Sequence, residues 1–252
     1  MKTQTDLHWD NQSKNKDIAV VNIVDIYQRE VEHCYIKDYL CFDSDVLEVG
    51  CGNGYSTVFF SDFVKHIDAF DYSENMIYSA KKLVQKENIR FFVDNILEPK
   101  NIEKKYDVVI CVRVLINLDS FSQQAKAIEN MASFLKKGGK LILVEGFKEG
   151  FYELSRLRDE LGLPLLKASA INFYSSYGEL RFIIEQYFEI CDNFHLGMYD
   201  FMTRIVYPLI KGQENVQHNT DFSNKSELLA KMYNPDAFEH FSRVKGIYAL
   251  KK

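Results

Sequence analysis

The sequence predicts an α/β fold on an open, mostly parallel sheet, and three observations predict it. Short apolar runs alternate with amphipathic helical stretches between residues 45 and 145. A glycine-rich bend, Gly50-Cys51-Gly52-Asn53-Gly54, joins the first run to the helical stretch after it. The second and third runs each end on an acid, Asp71 and Asp94. Regular alternation of this kind means βαβ units with right-handed crossovers and a parallel sheet between helices.

Taken in order, residues 1–16 are polar, with a single Trp9, and are expected to be partly disordered in the isolated chain. From Asp17 to Leu40 the apolar residues Ile18, Val21, Val24, Tyr27, Val31, Tyr35, Ile36 and Leu40 fall close to helical spacing. Asp45 to Val49 reads as the first strand, followed by the bend and a helix from about Tyr55 to Phe63. Ile67 to Phe70 reads as the second strand. Ser73 is a plausible N-cap for a helix whose stripe is Met76, Ile77, Ala80, Leu83 and Val84. Ile89 to Val93 is the third strand. Tyr106 to Val112 is the fourth, almost continuously apolar, as a strand buried on both faces should be. Ser122 to Leu135 is helical and is stopped by Lys136-Lys137-Gly138-Gly139, and Lys140 to Val144 is the fifth strand, ending at Glu145. Beyond it, Tyr152–Leu161 and Tyr177–Phe188 are helix candidates, and 188–196 and 244–250 are strand candidates. The aromatic-rich stretch 197–243 is too long for a plain loop in a compact domain and reads as a helical insertion.

Composition narrows the function. The chain has 252 residues, 46% of them hydrophobic, enough for one large domain with a cap. Its net charge of -5 points away from a protein that grips nucleic acid or an anionic membrane surface. No stretch is apolar enough to span a bilayer and no secretory leader is visible. The 5 cysteines, Cys34, Cys41, Cys51, Cys111 and Cys191, have no paired spacing, so reduced thiols and a cytoplasmic setting are expected.

In an open parallel sheet a ligand sits at the carboxyl ends of the strands, where the strand order reverses. The glycine bend lies there, and glycines let a ligand approach the backbone closely. Asp71 is placed to accept from both hydroxyls of a ribose, and Asp94 could take an adenine amino group. The alternative is that the glycines only make a tight turn and the acids only cap helices. NAD is the rival ligand, but its fingerprint is more often G-x-G-x-x-G, whereas here the third glycine comes one residue early.

Glu48-Val49-Gly50-Cys51-Gly52-Asn53-Gly54 resembles motif I of class I S-adenosylmethionine-dependent methyltransferases. Asp71-Tyr72-Ser73-Glu74-Asn75-Met76-Ile77 resembles their second motif, and Leu135-Lys136-Lys137-Gly138-Gly139-Lys140-Leu141-Ile142-Leu143 resembles the turn before their fifth strand. The resemblance covers about residues 40–195 and implies a Rossmann-like, seven-stranded, mostly parallel sheet with an antiparallel last strand. It also implies a layout of an N-terminal helical cap (1–40), a cofactor-binding core (41–196), a substrate-cap insertion (197–243) and a last strand (244–252). The cofactor would be S-adenosylmethionine, leaving S-adenosylhomocysteine as product. Glu48 and the bend (Gly50, Cys51, Gly52, Gly54) would hold the methionyl end. Asp71 would hold the ribose, Tyr72 and Met76 would flank the adenine, and Asp94-Asn95-Ile96 would meet its amino edge. Arg113, ending the fourth strand, joins this set. Cys51 reads as a small filler rather than a nucleophile.

Family members that methylate nucleobase amino groups usually carry Asn/Asp-Pro-Pro-Tyr/Phe after the fourth strand, where this chain reads Val112-Arg113-Val114-Leu115-Ile116-Asn117-Leu118. Metal-dependent members group carboxylates after the fourth and fifth strands. Here Glu145 stands alone against Arg113, so no metal is expected. The acceptor is therefore expected to be a small molecule. Rings are plentiful, with 15 Tyr, 19 Phe and 1 Trp, and a ring face attracts a cation by about 0.5–2 kcal/mol. That favours N-methylation of a small amine or amino sugar over O-methylation of a hydroxyl. His195, Glu145 and Asn117 are the catalytic candidates, and Trp9, Tyr27, Arg204 and Tyr207 the acceptor-binding ones. A protein that binds the cofactor without turnover and an aminopropyl transferase remain open, as does a homodimer through the insertion.

Overall fold

A computed structural model describes residues 4–15 and 17–252. Seven strands form one sheet in the order β3-β2-β1-β4-β5-β7-β6: β1 (Asp45–Val49), β2 (His66–Asp71), β3 (Ile89–Val93), β4 (Tyr106–Val112), β5 (Leu135–Gly146), β6 (Phe188–His195) and β7 (Val244–Lys251). All neighbours pair in parallel except β7, which runs antiparallel to both β5 and β6. This is the Rossmann-like, mostly parallel architecture expected. The order reverses between β1 and β4, which opens a crevice at their carboxyl ends.

Strand alternation divides the core. Leu47, Val49, Val109, Cys111, Leu141, Leu143, Ile247 and Ala249 face α5 (Phe121–Phe134) and α7 (Tyr177–Tyr187). Val46, Val108, Ile110, Ile142 and Val144 face α2 (Ile26–Lys37), α3 (Tyr55–Phe60) and the insertion. On the far flank, α4 (Glu74–Leu83) packs Ile77 and Ala80 against Ala69 and Phe91. Its N-cap is Ser73, whose hydroxyl accepts from Met76 N at 3.3 Å. The capping box of Ser176 and Glu179 starts α7. Helix α6 (Lys148–Glu160) follows β5 and packs against the end of the insertion.

The amino-terminal segment differs from expectation. The helix read over 17–40 is a 3-10 turn, Ile18–Val20, then an irregular stretch, then α2. Asp17 and Asp25 break it, because each turns its carboxylate back to cap the helix that follows. Within the stretch expected to be disordered, Gln4–Gln12 forms α1, docked on α4 where Asn75 Nδ2 donates to Asp10 Oδ1 at 3.0 Å. The rest of that expectation, on residues 1–3 and 16, lies outside the described residues. The insertion is helical: α8 (Gly197–Phe201), a π turn (Met202–Val206), α9 (Tyr207–Lys211), α10 (Asp221–Met232) and a 3-10 segment, Asp236–Phe241. Among the described residues no helix is long and apolar enough to cross a membrane.

Candidate functional site

A cavity of about 600 Å³ opens over the carboxyl ends of β1, β2, β3 and β4. The glycine bend forms its floor. Gly50 N and Cys51 N both donate to Phe70 O, at 2.8 and 2.9 Å, which pins the bend to β2. Asp71 fastens it from the side: one carboxylate oxygen accepts from Gly52 N and the other from Ser73 N, each at 2.9 Å. Gly52 has φ +54°, and a Cβ there would stand 2.4 Å from the Asn22 side chain. The bend therefore needs glycine both for its left-handed backbone and for the residue covering it.

Glu48, inside β1, is buried beneath the bend, and its Oε2 has no hydrogen-bond partner among the described residues. Burial pushes its carboxyl up to about 7, with the Thr57 hydroxyl beside it pulling the other way and the Asp71 charge adding to the rise; burial likewise pushes Asp71 up to about 6. Asp94 holds the next loop in place: it accepts from Asn95 N at 2.8 Å, Lys100 N at 3.0 Å and Asn101 N at 2.8 Å. Asn95, Ile96, Tyr72 and Met76 line the cavity beside it.

The decisive observation is a match to a family profile. Residues 46–139, from the first strand through the turn Gly138-Gly139, match the family described as methyltransferase domain. The chain thus contains a stretch similar to methyltransferase domains. It is similar to malonyl-[acyl-carrier protein] O-methyltransferase of Bacillus anthracis, 34% identical over 146 residues, 56% of this chain and 52% of that one. It is also similar to malonyl-[acyl-carrier protein] O-methyltransferase 2 of Ilyobacter polytropus, 29% identical over 202 residues, 75% of this chain and 71% of that one. The chain thus spans about half of the first relative's length. The fold is that of the N-methyltransferase NodS from Bradyrhizobium japonicum WM9, solved with S-adenosyl-L-homocysteine, with a TM-score of 0.62, 13% identity and 99% of each chain covered.

The structure sorts the residues singled out from sequence. Glu48, Gly50, Cys51, Gly52, Asp71, Tyr72, Met76, Asp94, Asn95, Ile96, Arg113, Asn117, Trp9 and Arg204 all line the one cavity. Gly54, Glu145, His195, Tyr27 and Tyr207 do not. Gly54 serves packing, because a Cβ there would meet Phe91 at 2.7 Å. Glu145 is spent on the backbone: it accepts from Leu115 N at 2.7 Å and from Ile116 N and Gly146 N at 3.3 Å, clamping the loop after β4. Tyr27 packs into the core under α2, and Tyr207 stacks on Phe222 at 4.6 Å inside the insertion. His195 accepts from Gly197 N at 3.2 Å, in register with Lys245 of β7, which separates it from Glu145 of β5.

Two histidines line the cavity, His8 of α1 and His218 from the loop before α10, the latter with Nδ1 3.5 Å from Asp25 Oδ2. Asp25, Asn22, Gln28, Asn172, Tyr174 and Arg243 also line the cavity. The only signal for Asp25 in the sequence is its cap position before α2, and Arg243 stands one residue before β7 with no motif around it. Arg113 takes φ 54°, in the left-handed region, with its N–H on Val144 O at 2.7 Å, so the turn after β4 stores strain beside the cavity. Among the described residues no three His, Cys, Asp or Glu side chains form a metal-ligand group.

The buried acids give a pH dependence with a definite sign. Burial pushes Glu145 up to about 8, against the pull of three backbone N–H donors and Arg113, and pushes Glu48 up to about 7. Unfolded glutamates titrate near pH 4.3. Between about pH 6.5 and 8 the folded state therefore holds protons that the unfolded state has lost, and stability falls as pH rises. His33 works the other way, but burial depresses it to about 3, so its contribution is complete once unfolded histidine is neutral. The melting temperature of the ligand-free protein is expected to drop by a few degrees from pH 6.5 to 8. A flat or rising trace in scanning calorimetry would refute the assignment.

Proposed function

We propose that this protein transfers the methyl group of S-adenosylmethionine to a small-molecule acceptor. The observation that carries the reading is the Glu48 oxygen left without a partner beneath the glycine bend, in one cavity with two acids at strand ends. A sealed carboxylate oxygen needs a donor, and an ammonium supplies one. Glu48 with the bend would hold the methionyl end, Asp71 the ribose, and Met76, Tyr72, Asn95 and Ile96 the adenine. Asp94 braces the loop that carries Asn95 and Ile96. The sulfonium donor is already activated, so the protein has mainly to align the acceptor, worth on the order of 7–11 kcal/mol of barrier.

The acceptor would enter between α1, the Val21–Asp25 stretch and the insertion, and meet the loop after β4. There Asn117 Nδ2 donates to Arg113 O at 2.7 Å. That carbonyl can only accept, so the amide orientation is settled and Oδ1 is left without a partner. An acceptor N–H fits it, and the fit improves as the amine turns into an ammonium during transfer. N-methylation is therefore our first reading. O-methylation is the second, favoured by the imidazole of His218 beside the Asp25 carboxylate, a pair suited to take a hydroxyl proton. Asn117→Ala is expected to lower kcat about tenfold, the worth of one hydrogen bond, with affinity for S-adenosylhomocysteine unchanged. Turnover of an amine and hydroxyl panel, followed by release of S-adenosylhomocysteine, tests both readings. Heat with NAD and none with either adenosyl compound would overturn the function itself. Tight binding without turnover across the panel would point to a sensor.

A further inference from the structure

Three arginines gather in the wall of the cavity, in a protein whose net charge is -5. Arg113, Arg204 and Arg243 line it. Their carboxylate partners are Glu32 at 3.5 Å, Asp25 at 2.9 Å and Asp200 at 2.6 Å, respectively. Arg158, buried behind them, donates to the carbonyls of Arg204 and Pro164 and to Gln213 Oε1, and among the described residues no carboxylate pairs with it. Four guanidiniums thus share three carboxylates.

Arg158 carries the charge without a carboxylate, and Arg204 is the cavity-lining arginine it crowds. Arg243 is committed, with Nε and Nη2 on Asp200 and Nη2 also on Gln28. Arg204 has the single ion pair with Asp25, and Asp25 is divided: it also accepts from the Tyr199 hydroxyl at 2.5 Å and Gln28 N at 3.3 Å, with His218 at 3.5 Å. Burial and the neighbouring Arg243 charge both work against the charged form of Arg204. A buried guanidinium crowded by its own kind is a site short of an anion. Arg204 also sits on the π turn, a rare local geometry that recurs where a helix must aim a functional side chain.

We propose that the acceptor carries an anionic oxygen group, a carboxylate or a phosphate, and that Arg204 holds it. This rests on the functional reading above and narrows its substrate class to acids that also bear the nucleophile. A guanidinium presents parallel N–H donors to two oxygens of such a group, a geometry lysine does not reproduce. Arg204 acts on binding alone, so its loss raises KM for the acceptor far more than it lowers kcat.

The test is calorimetric. Protein loaded with S-adenosylhomocysteine is titrated with glutarate and, separately, with inorganic phosphate, at ionic strength held constant with chloride. At least one anion should bind the native protein, at least tenfold more weakly to Arg204→Gln, with Arg204→Lys between them and affinity for S-adenosylhomocysteine unchanged. The tighter anion distinguishes carboxylate from phosphate. The proposal is overturned if neither anion binds the native protein, or if both bind Arg204→Gln as well. It is also overturned if the variant weakens S-adenosylhomocysteine instead, because Arg204 would then be holding the cofactor's own carboxylate. If Arg204→Gln fails to fold, Arg204→Lys is read by the same criteria. Should S-adenosylhomocysteine not bind at all, the functional reading fails separately, and the anion titration of the ligand-free protein still decides this one.

Discussion

Replacing Asp71 with alanine is expected to weaken binding of S-adenosylhomocysteine about a hundredfold or more, while the far-ultraviolet dichroism stays native. The carboxylate closes β2 at the lip of the cavity, and both of its oxygens are already oriented by backbone N–H donors, Gly52 on one side and Ser73 on the other. Each oxygen keeps a lone pair for a ribose hydroxyl. Hydrogen bonds to a charged acceptor are worth about 1.5–3 kcal/mol each, and two of them convert to at least two orders of magnitude in affinity. Alanine also leaves the Gly52 N–H without its partner, so the bend itself loosens. Asp71→Asn separates the two effects: it keeps the shape and one acceptor oxygen, and should fall between alanine and the native protein. Native affinity in the alanine variant, measured by titration calorimetry, would remove Asp71 from the ribose site.

The second large effect is on stability and comes from the insertion. Asp200, in α8, is almost wholly buried and accepts from Arg243 three times: from the backbone N–H at 2.8 Å, from Nε at 2.9 Å and from Nη2 at 2.6 Å. This is the point where the insertion is latched to the chain as it re-enters the sheet through β7. Asp200→Ala would leave a guanidinium in the cavity wall with only Gln28 for company. Breaking a buried pair by removing one partner costs about 3–5 kcal/mol, and the lower end applies because the Arg243 side chain is 21% exposed. For a domain of this size that is a fall of about 6–12 °C in melting temperature. Arg243→Met, which removes the stranded charge as well, should recover part of the loss in the double variant. A melting temperature within 2 °C of native, roughly the shift of a neutral surface change, would show that the latch is solvated rather than buried.

The sheet and the glycine bend at the cavity floor were legible because their signals are local. A short, mostly apolar run between turn residues reads as a strand whatever surrounds it, and β1, β2, β3 and β4 start and stop within a residue of the sequence reading. The bend is equally local: Gly52 needs a positive φ, and Asp71 follows at the spacing of one helix and one strand. Local competition also explains the misreading of residues 17–40. The apolar spacing there is helical, but Asp17 and Asp25 prefer to cap, and capping breaks the helix that the spacing alone predicts.

The rest of the cavity wall is another matter, and His195 shows why. The sequence alone placed it at the end of a strand on the ligand-binding edge, which is where it lies. What it could not place was the strand. β7, the last in the chain, inserts between β5 and β6, so β6 becomes the outermost strand and His195 stands two strand spacings, about 10 Å, from Glu145. The same insertion brings Arg204, His218 and Arg243 back over the crevice to meet Asp25, 179 residues earlier in the chain than Arg204. Periodicity and motif spacing report on neighbours along the chain and so determined the sheet and the glycine bend with its flanking acids. Strand order and long-range charge pairing depend on how distant segments exclude water from one another, and only the tertiary structure decided which side chains from the insertion line the cavity.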